Sequence, residues 1–452
     1  MRKSPLKAIL DVRRHELPFA LSMFAYFLLV ITSFWVLKPI KKSIFIQFYD
    51  ESGFQLFDWQ MTASQAELLA KVLNMAVAFV AVVVFTWLVR WFRRQHLTFI
   101  FTGFFLASYI AYTVTIDDPG AFTVWSFYLF GDLFSTLMVA TFFAFLNDSV
   151  SPDGAKRLYG LIGFGGVTGG VIGTVFVSAF ISSISASGWL WVCCGMGVLI
   201  VFVASFAGRC VPSGSVAGGD SSASGRESEK PAPKDDPKKK SASPAIEGAQ
   251  LVFSSKYFLW IASTVGLYEI VSTVMDFQFT STIAHYLDGP AIGQQFSTVF
   301  AITNVVAMVV QLFLTSFVMT RFGIGVALMV LPVVALAGST AFMAMPILWF
   351  GSLLNTADNG FSYSMNQSAK EALYVPTTQD EKYKAKAFID MFVQRFAKAI
   401  AVFVSLGITS EFSEFSRLRW LSLFTIVAIV LWILAARGAG RQFQEMTKER
   451  DS

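Results

Sequence analysis

The chain has 452 residues, of which 55% are hydrophobic and only 14% charged, and a mean hydropathy of +0.59. Soluble proteins of this length do not have such a composition, whereas polytopic membrane proteins do. The formal net charge of +5 is modest and sits in loops rather than on one face, so no nucleic-acid partner is expected.

The N-terminal stretch Met1 to Glu16 mixes Arg and Lys with Asp11 and Glu16. No small-residue cleavage site follows the first apolar run, which is therefore expected to be a retained span. Apolar runs of spanning length recur near residues 18–37, 66–89, 98–115, 121–146, 158–182 and 188–207. A second set follows near 257–284, 292–319, 323–341, 346–366, 385–409 and 418–436, with Met345-Pro346 parting the ninth run from the tenth. The expected fold is an all-α polytopic membrane protein of about twelve transmembrane helices.

The first run meets Lys38, Lys41 and Lys42 at or beyond its far end, where basic residues should not gather if the N-terminus is cytoplasmic. One reading is an anchor whose lysines snorkel to headgroups. The other is a longer first helix, kinked near Pro39, that holds cations in a polar cavity. The glycine-rich run from Gly160 to Gly173 lacks the Gly-Lys-Ser/Thr ending of a phosphate loop, and no strand precedes it. Its pairs Gly165/Gly169, Gly166/Gly170 and Gly169/Gly173 predict close helix packing instead.

Residues 208–246, rich in Pro, Ser, Gly and Lys, cannot pack a core and read as a disordered cytoplasmic linker. They divide the chain into an N-terminal six-helix half, 1–207, and a C-terminal six-helix half, 247–452. Basic residues cluster at the N-terminus and after the second, fourth, eighth and tenth spans, while Asp117, Asp118 and Asp288 mark alternate loops. Both termini are therefore expected in the cytoplasm. Six plus six spans around a cytoplasmic loop resembles the layout of major-facilitator transporters.

Ionisable residues inside apolar helices are the candidate functional groups. They are Lys41 and Lys42 on the first helix, Asp132 on the fourth, Glu269 and Asp276 on the seventh, Asp358 on the tenth, and Asp390, Arg395 and Lys398 on the eleventh. Glu269 and Asp276 are seven apart and share a face, as do Asp390, Gln394 and Lys398 at four-residue steps. The first, fourth, seventh and tenth helices line the cavity of the major-facilitator architecture, so most of these charges would meet substrate. Taken singly, each is equally compatible with a structural ion pair or a charge near an interface. Lysines mixed with carboxylates suit an anionic substrate that must also be released. Cys193, Cys194 and Cys210 form no disulfide framework, and His15, His96 and His285 are scattered. Neither a metal site, a cofactor nor an enzyme activity is expected.

Three segments together resemble one family, the ATP:ADP antiporters or nucleotide transporters of intracellular bacteria and plastids. Leu37-Lys38-Pro39-Ile40-Lys41-Lys42 resembles the family's Leu-Arg-x-x-Lys/Arg motif closing the first span. Phe145 to Asp148 with Ala155 to Gly165 resembles its fourth-to-fifth connection, and Lys384 to Lys398 its eleventh span. The resemblance implies nucleotide exchange, with the family's two lysines falling on Lys41 and Lys398. Its two glutamates fall on Asp132 and Asp276, one methylene shorter, and Thr280 stands where a lysine is expected.

The expected function is thus ATP/ADP-type antiport by alternating access in a bacterial inner membrane, by a monomer whose partners are the nucleotide and the bilayer. Lys41, Lys398, Asp132, Asp276, Lys38, Arg395 and Asp358 are the expected substrate-binding residues. Asp132 and Asp276 would hold Lys41 and Lys398 between substrates, or contact the base and ribose. Lys42, one residue on, should point about 100° away from Lys41. The alternatives are a carrier of another phosphorylated or organic anion, and a non-transporting membrane scaffold or sensor.

Overall fold

Without water to satisfy the backbone, an apolar chain of this kind can cross lipid only as helices or as a closed barrel, and its long apolar runs select helices. The computed structural model describes residues 13, 15–89, 91–92, 94–150, 152–211, 244–410 and 415–451. The first helix, α1, runs over Leu17–Asp50, 34 residues or about 51 Å, with Pro18 in its first turn and Pro39 inside it. Of the two readings of the first run this is the longer helix rather than a span that ends at Leu37. The three lysines lie within one continuous helix, and about two further turns follow them.

A hairpin that the apolar pattern does not announce comes next. Strands β1 (Phe54–Leu56) and β2 (Trp59–Met61) pair antiparallel, Phe54 opposite Met61. Then come α2 (Ala63–Val89), α3 (Arg94–Thr113), α4 (Ala121–Ser149), α5 (Pro152–Phe180) and α6 (Ala186–Arg209). The linker reading of 208–246 falls largely on residues 212–243, which lie outside the described residues.

The second set starts with a short helix, α7 (Pro244–Ser254), then α8 (Lys256–Tyr286). Helix α9 (Pro290–Val309) continues through a π turn at Val310–Thr315 into Ser316–Arg321, and α10 covers Ile324–Ala344. Helix α11 (Leu348–Phe361) passes through a π turn at Ser362–Asn366 into Gln367–Leu373. Helix α12 (Gln379–Phe388) does the same at Ile389–Val393 before Gln394–Ser410, and α13 spans Arg419–Asp451. Among the described residues, eleven helices are long and apolar enough to cross a membrane. The twelfth long helix is α11, interrupted by its π turn and carrying Asp358, Lys370 and Glu371. The chain is a multi-pass, all-α membrane protein.

The glycine run of α5 packs on α1 as its spacing predicts. A Cβ on Gly165 would lie 2.6 Å from the Phe24 carbonyl oxygen, and one on Gly169 2.5 Å from that of Leu28. The Thr32 hydroxyl donates to the Gly169 carbonyl at 3.2 Å, a bond that only so close an approach allows.

Three apolar cores result. One is built from α1 to α6, and a second from α7 to α13 with Met61 and Leu68. The third joins the two sets: Trp35, Phe45 and Tyr49 of the first pack with Phe279, Phe296 and Phe300 of the second. Polar contacts flank it, from Gln65 Nε2 to Thr409 Oγ1 at 3.0 Å and from Gln294 Nε2 to the Ser178 carbonyl at 3.0 Å. The two sets are thus sealed together at the hairpin end of the molecule.

Candidate functional site

Beneath this seal, between the two sets of helices, lies a cavity of about 840 Å³. It runs from Lys42 and Asp276 to Glu371, Tyr374 and Lys386 near the turn between α11 and α12. Its lining carries eight basic and seven acidic side chains, in a protein where only 14% of residues are charged. Burying a charge costs several kcal/mol unless it is paired, so a concentration of this kind needs a structural or functional reason.

Much of the charge is paired. Lys41, 5% exposed, forms an ion pair with Asp132, lies 4.4 Å over the Tyr128 ring and donates to the Tyr128 carbonyl at 3.4 Å. Asn74 Nδ2 donates to the other Asp132 oxygen at 2.7 Å. Lys42 reaches Asp276 across the interface at 3.0 and 3.1 Å, and Lys71 pairs with the same carboxylate. Glu67 accepts from the Tyr128 hydroxyl at 2.5 Å and pairs with Lys71 at 3.1 Å and Lys42 at 3.7 Å. Lys398 pairs with Glu269 at 3.3 Å, and Lys386 with Glu371 at 2.6 Å.

Other groups are not paired with an opposite charge. Among the described residues, Lys38, Lys370 and Arg395 line the cavity with no carboxylate at ion-pair distance. Lys38 instead lies over the Trp35 ring at 4.4 Å and the Phe300 ring at 4.9 Å, and Lys370 over Tyr268 at 5.1 Å. Asp358, 3% exposed, accepts from Ser272 Oγ at 2.6 Å.

All seven residues singled out from the sequence as substrate-binding line this one cavity: Lys38, Lys41, Asp132, Asp276, Asp358, Arg395 and Lys398. Their pairing differs in part from expectation. Lys41 is beside Asp132, but Asp276 is held by Lys42 and Lys71, and the partner of Lys398 is Glu269. Lys42 does not point away from the cavity. The cavity sits between the two sets of helices, so α1 presents Lys41 to the first and Lys42 to the second.

Sequence reasoning passed over Glu67, Lys71 and Asn74 of α2, and Lys370 of α11. Glu67 and Lys71 resemble an ordinary i,i+4 surface pair. Their signal was position, since both lie in the apolar run 66–89, where ionisable groups are expensive. Thr280 is fully buried and donates to the Asp276 carbonyl at 2.8 Å, away from the cavity. The cation beside Asp276 comes instead from Lys71 on a different helix.

A likeness to solved structures supports the architecture. The chain superposes on an inward-facing bacterial homologue of the iron transporter ferroportin with a TM-score of 0.63, covering 93% of this chain and 98% of the other at 9% identity. It is 23% identical over 365 residues to the chloroplastic ADP,ATP carrier protein 1 of Arabidopsis thaliana, covering 73% of this chain and 56% of that protein. It is 24% identical over 219 residues to ADP,ATP carrier protein 1 of Chlamydia muridarum, covering 44% and 41%. The chain spans about half the length of the curated relatives it matches. The profile of the TLC ATP/ADP transporters matches residues 120–349 and 343–443, most of the chain, including ten of the charged cavity residues from Asp132 to Lys398. The chain therefore belongs to the TLC ATP/ADP transporter family.

Proposed function

We propose that this protein is a nucleotide exchanger of a bacterial inner membrane, with both termini cytoplasmic. In this reading it carries ATP and ADP in opposite directions by alternating access of the cavity. The observation that carries it is the set of cations without an ion pair, Lys38, Lys370 and Arg395, in a cavity whose other basic side chains are all paired with carboxylates. Lys370 is buried and Lys38 and Arg395 are half-buried, each without a carboxylate partner, so an anion entering the cavity supplies the missing counter-charge. A phosphate chain is long enough to meet several at once, Arg395 through a two-pronged contact and the lysines as point charges. Lys41 and Lys398 join the clamp when phosphate oxygens replace Asp132 and Glu269. Asp358 and the polar face of α11 are left for the base and ribose.

Counterflow in proteoliposomes tests the reading. Vesicles preloaded with unlabelled ADP should accumulate labelled ATP in a saturable way, and vesicles without internal nucleotide should not. Exchange of inorganic phosphate or another phosphorylated anion in place of nucleotide would identify the carrier of a different anion. No saturable uptake of any anion would leave the scaffold reading.

A further inference from the structure

We propose that Asp276 is an internal stand-in for the substrate's anionic group, and that Lys42 and Lys71 are the coupling residues it occupies. Asp276 belongs to the second set of helices, whereas Lys42 and Lys71 come from α1 and α2 of the first. Lys42 lies 3.0 and 3.1 Å from the two carboxylate oxygens and Lys71 is in direct contact. These are the only ion pairs between the two sets among the described residues. They sit directly beneath the aromatic seal of Phe279 and Phe296, with Lys42 5.3 Å from the Phe296 ring centre. Opening the hairpin end must pull Asp276 away from both lysines.

The consequence is a rule for movement. An empty cavity keeps the carboxylate on the lysines and the hairpin end shut. An anion entering from the open end competes for the same ammonium groups. Once it holds them, Asp276 is released and the two sets can part above the substrate. A carrier built in this way does not reorient empty from this state, which makes it an exchanger rather than a leak. Glu67 serves as a positioning residue: buried at 1% exposure, it touches both lysines and fixes them at the interface. The inference rests on the transport reading but not on the identity of the nucleotide.

The test reads the seal and the anion affinity separately, on the full chain in nanodiscs with Cys193, Cys194 and Cys210 replaced by serine. A Ser43→Cys reporter is buried at 5% exposure, with Gly293 of the other set against it. Its labelling by a maleimide is the measure of opening. Asp276→Asn and the double variant Lys42→Gln/Lys71→Gln should each raise the labelling rate by about tenfold or more, since either removes the lock. Their effects on binding should be opposite. Asp276→Asn should tighten ATP and tripolyphosphate by about tenfold because the internal competitor is gone, and the double variant should weaken both. A merely structural role would move affinity the same way in both. Unchanged labelling in both variants, or weaker anion binding in Asp276→Asn, overturns the proposal. If Asp276→Asn does not fold, labelling of the double variant alone decides it. If the wild type binds neither anion, the nucleotide reading fails while the labelling still decides the lock.

Discussion

Lys41 is held on three sides, by the Asp132 carboxylate, the Tyr128 ring and the backbone of α4, where its aliphatic stem lies against Gly131. A Cβ at position 131 would come within 2.6 Å of the Lys41 Cδ atom. Two variants therefore probe one ammonium by different routes. Lys41→Gln removes the charge and should weaken nucleotide binding by about one to two decades, the value of roughly 1.5–3 kcal/mol for a hydrogen bond to a charged group. Gly131→Ala keeps the charge but pushes the stem aside, and should lower affinity in the same direction by a smaller factor. Lys41→Arg should retain part of the activity, since its charge survives in a larger planar group. Uptake of labelled ATP at matched membrane levels checks all three, and wild-type uptake in Lys41→Gln would remove Lys41 from the clamp. Lys42→Gln should also impair uptake, because Lys42 faces the same cavity.

The contact of α1 with α5 is an element-scale device in which small residues let two backbones approach. Gly169 marks the closest approach of the two backbones, with the Leu28 carbonyl 2.5 Å from where a Cβ would stand. Gly169→Val should therefore destabilise the N-terminal set by about 1–3 kcal/mol, the usual cost of overpacking a filled interface, and should also break the bond from Thr32. Gly163 belongs to the same run but has nothing within 4 Å of its Cβ position. Gly163→Ala is expected to be neutral. Thermal unfolding in detergent separates the two, and equal melting temperatures would show that α5 does not need its glycines for packing.

At the scale of the whole molecule, the closed hairpin end and the cavity beneath it correspond to one state of the proposed alternating cycle. Gln65 and Thr409 meet across the closed end at 3.0 Å and come from different sets. Cysteines at both positions, bridged by a short bifunctional thiol reagent, should arrest exchange, and a cleavable bridge should restore it on reduction. Exchange at full rate with the bridge intact would show that this end does not open. The orientation has its own check. Cysteines at Asp118 and Asp288 should react with an impermeant reagent outside spheroplasts, and one at Lys234 should not. The reverse pattern would place the hairpin end on the cytoplasmic side.

The membrane spans were legible in the sequence before any contact was known, because a span in lipid is declared by about twenty consecutive apolar residues and needs no partner to be recognised. The sequence also marked the close packing of Gly165, Gly169 and Gly173, and the charges that lipid would not tolerate unless they faced protein or water. The tertiary structure decided which of those charges meet. Asp276 is 205 residues from Lys71 and 234 from Lys42, separations over which spacing and periodicity carry no information. The sequence leaves the length of α1 open between two readings, of which the longer helix is the one found. Lys38, Pro39, Lys41 and Lys42 fit the end of a span as well as the middle of a longer helix, and the second set of helices supplies the carboxylate and aromatic rings that accompany the latter. The exchange of partners, with Glu269 on Lys398 and Lys71 supplying the cation beside Asp276, follows from the same cause. A buried charge takes the nearest opposite charge in space, and only the packing of the two sets of helices decides which one that is.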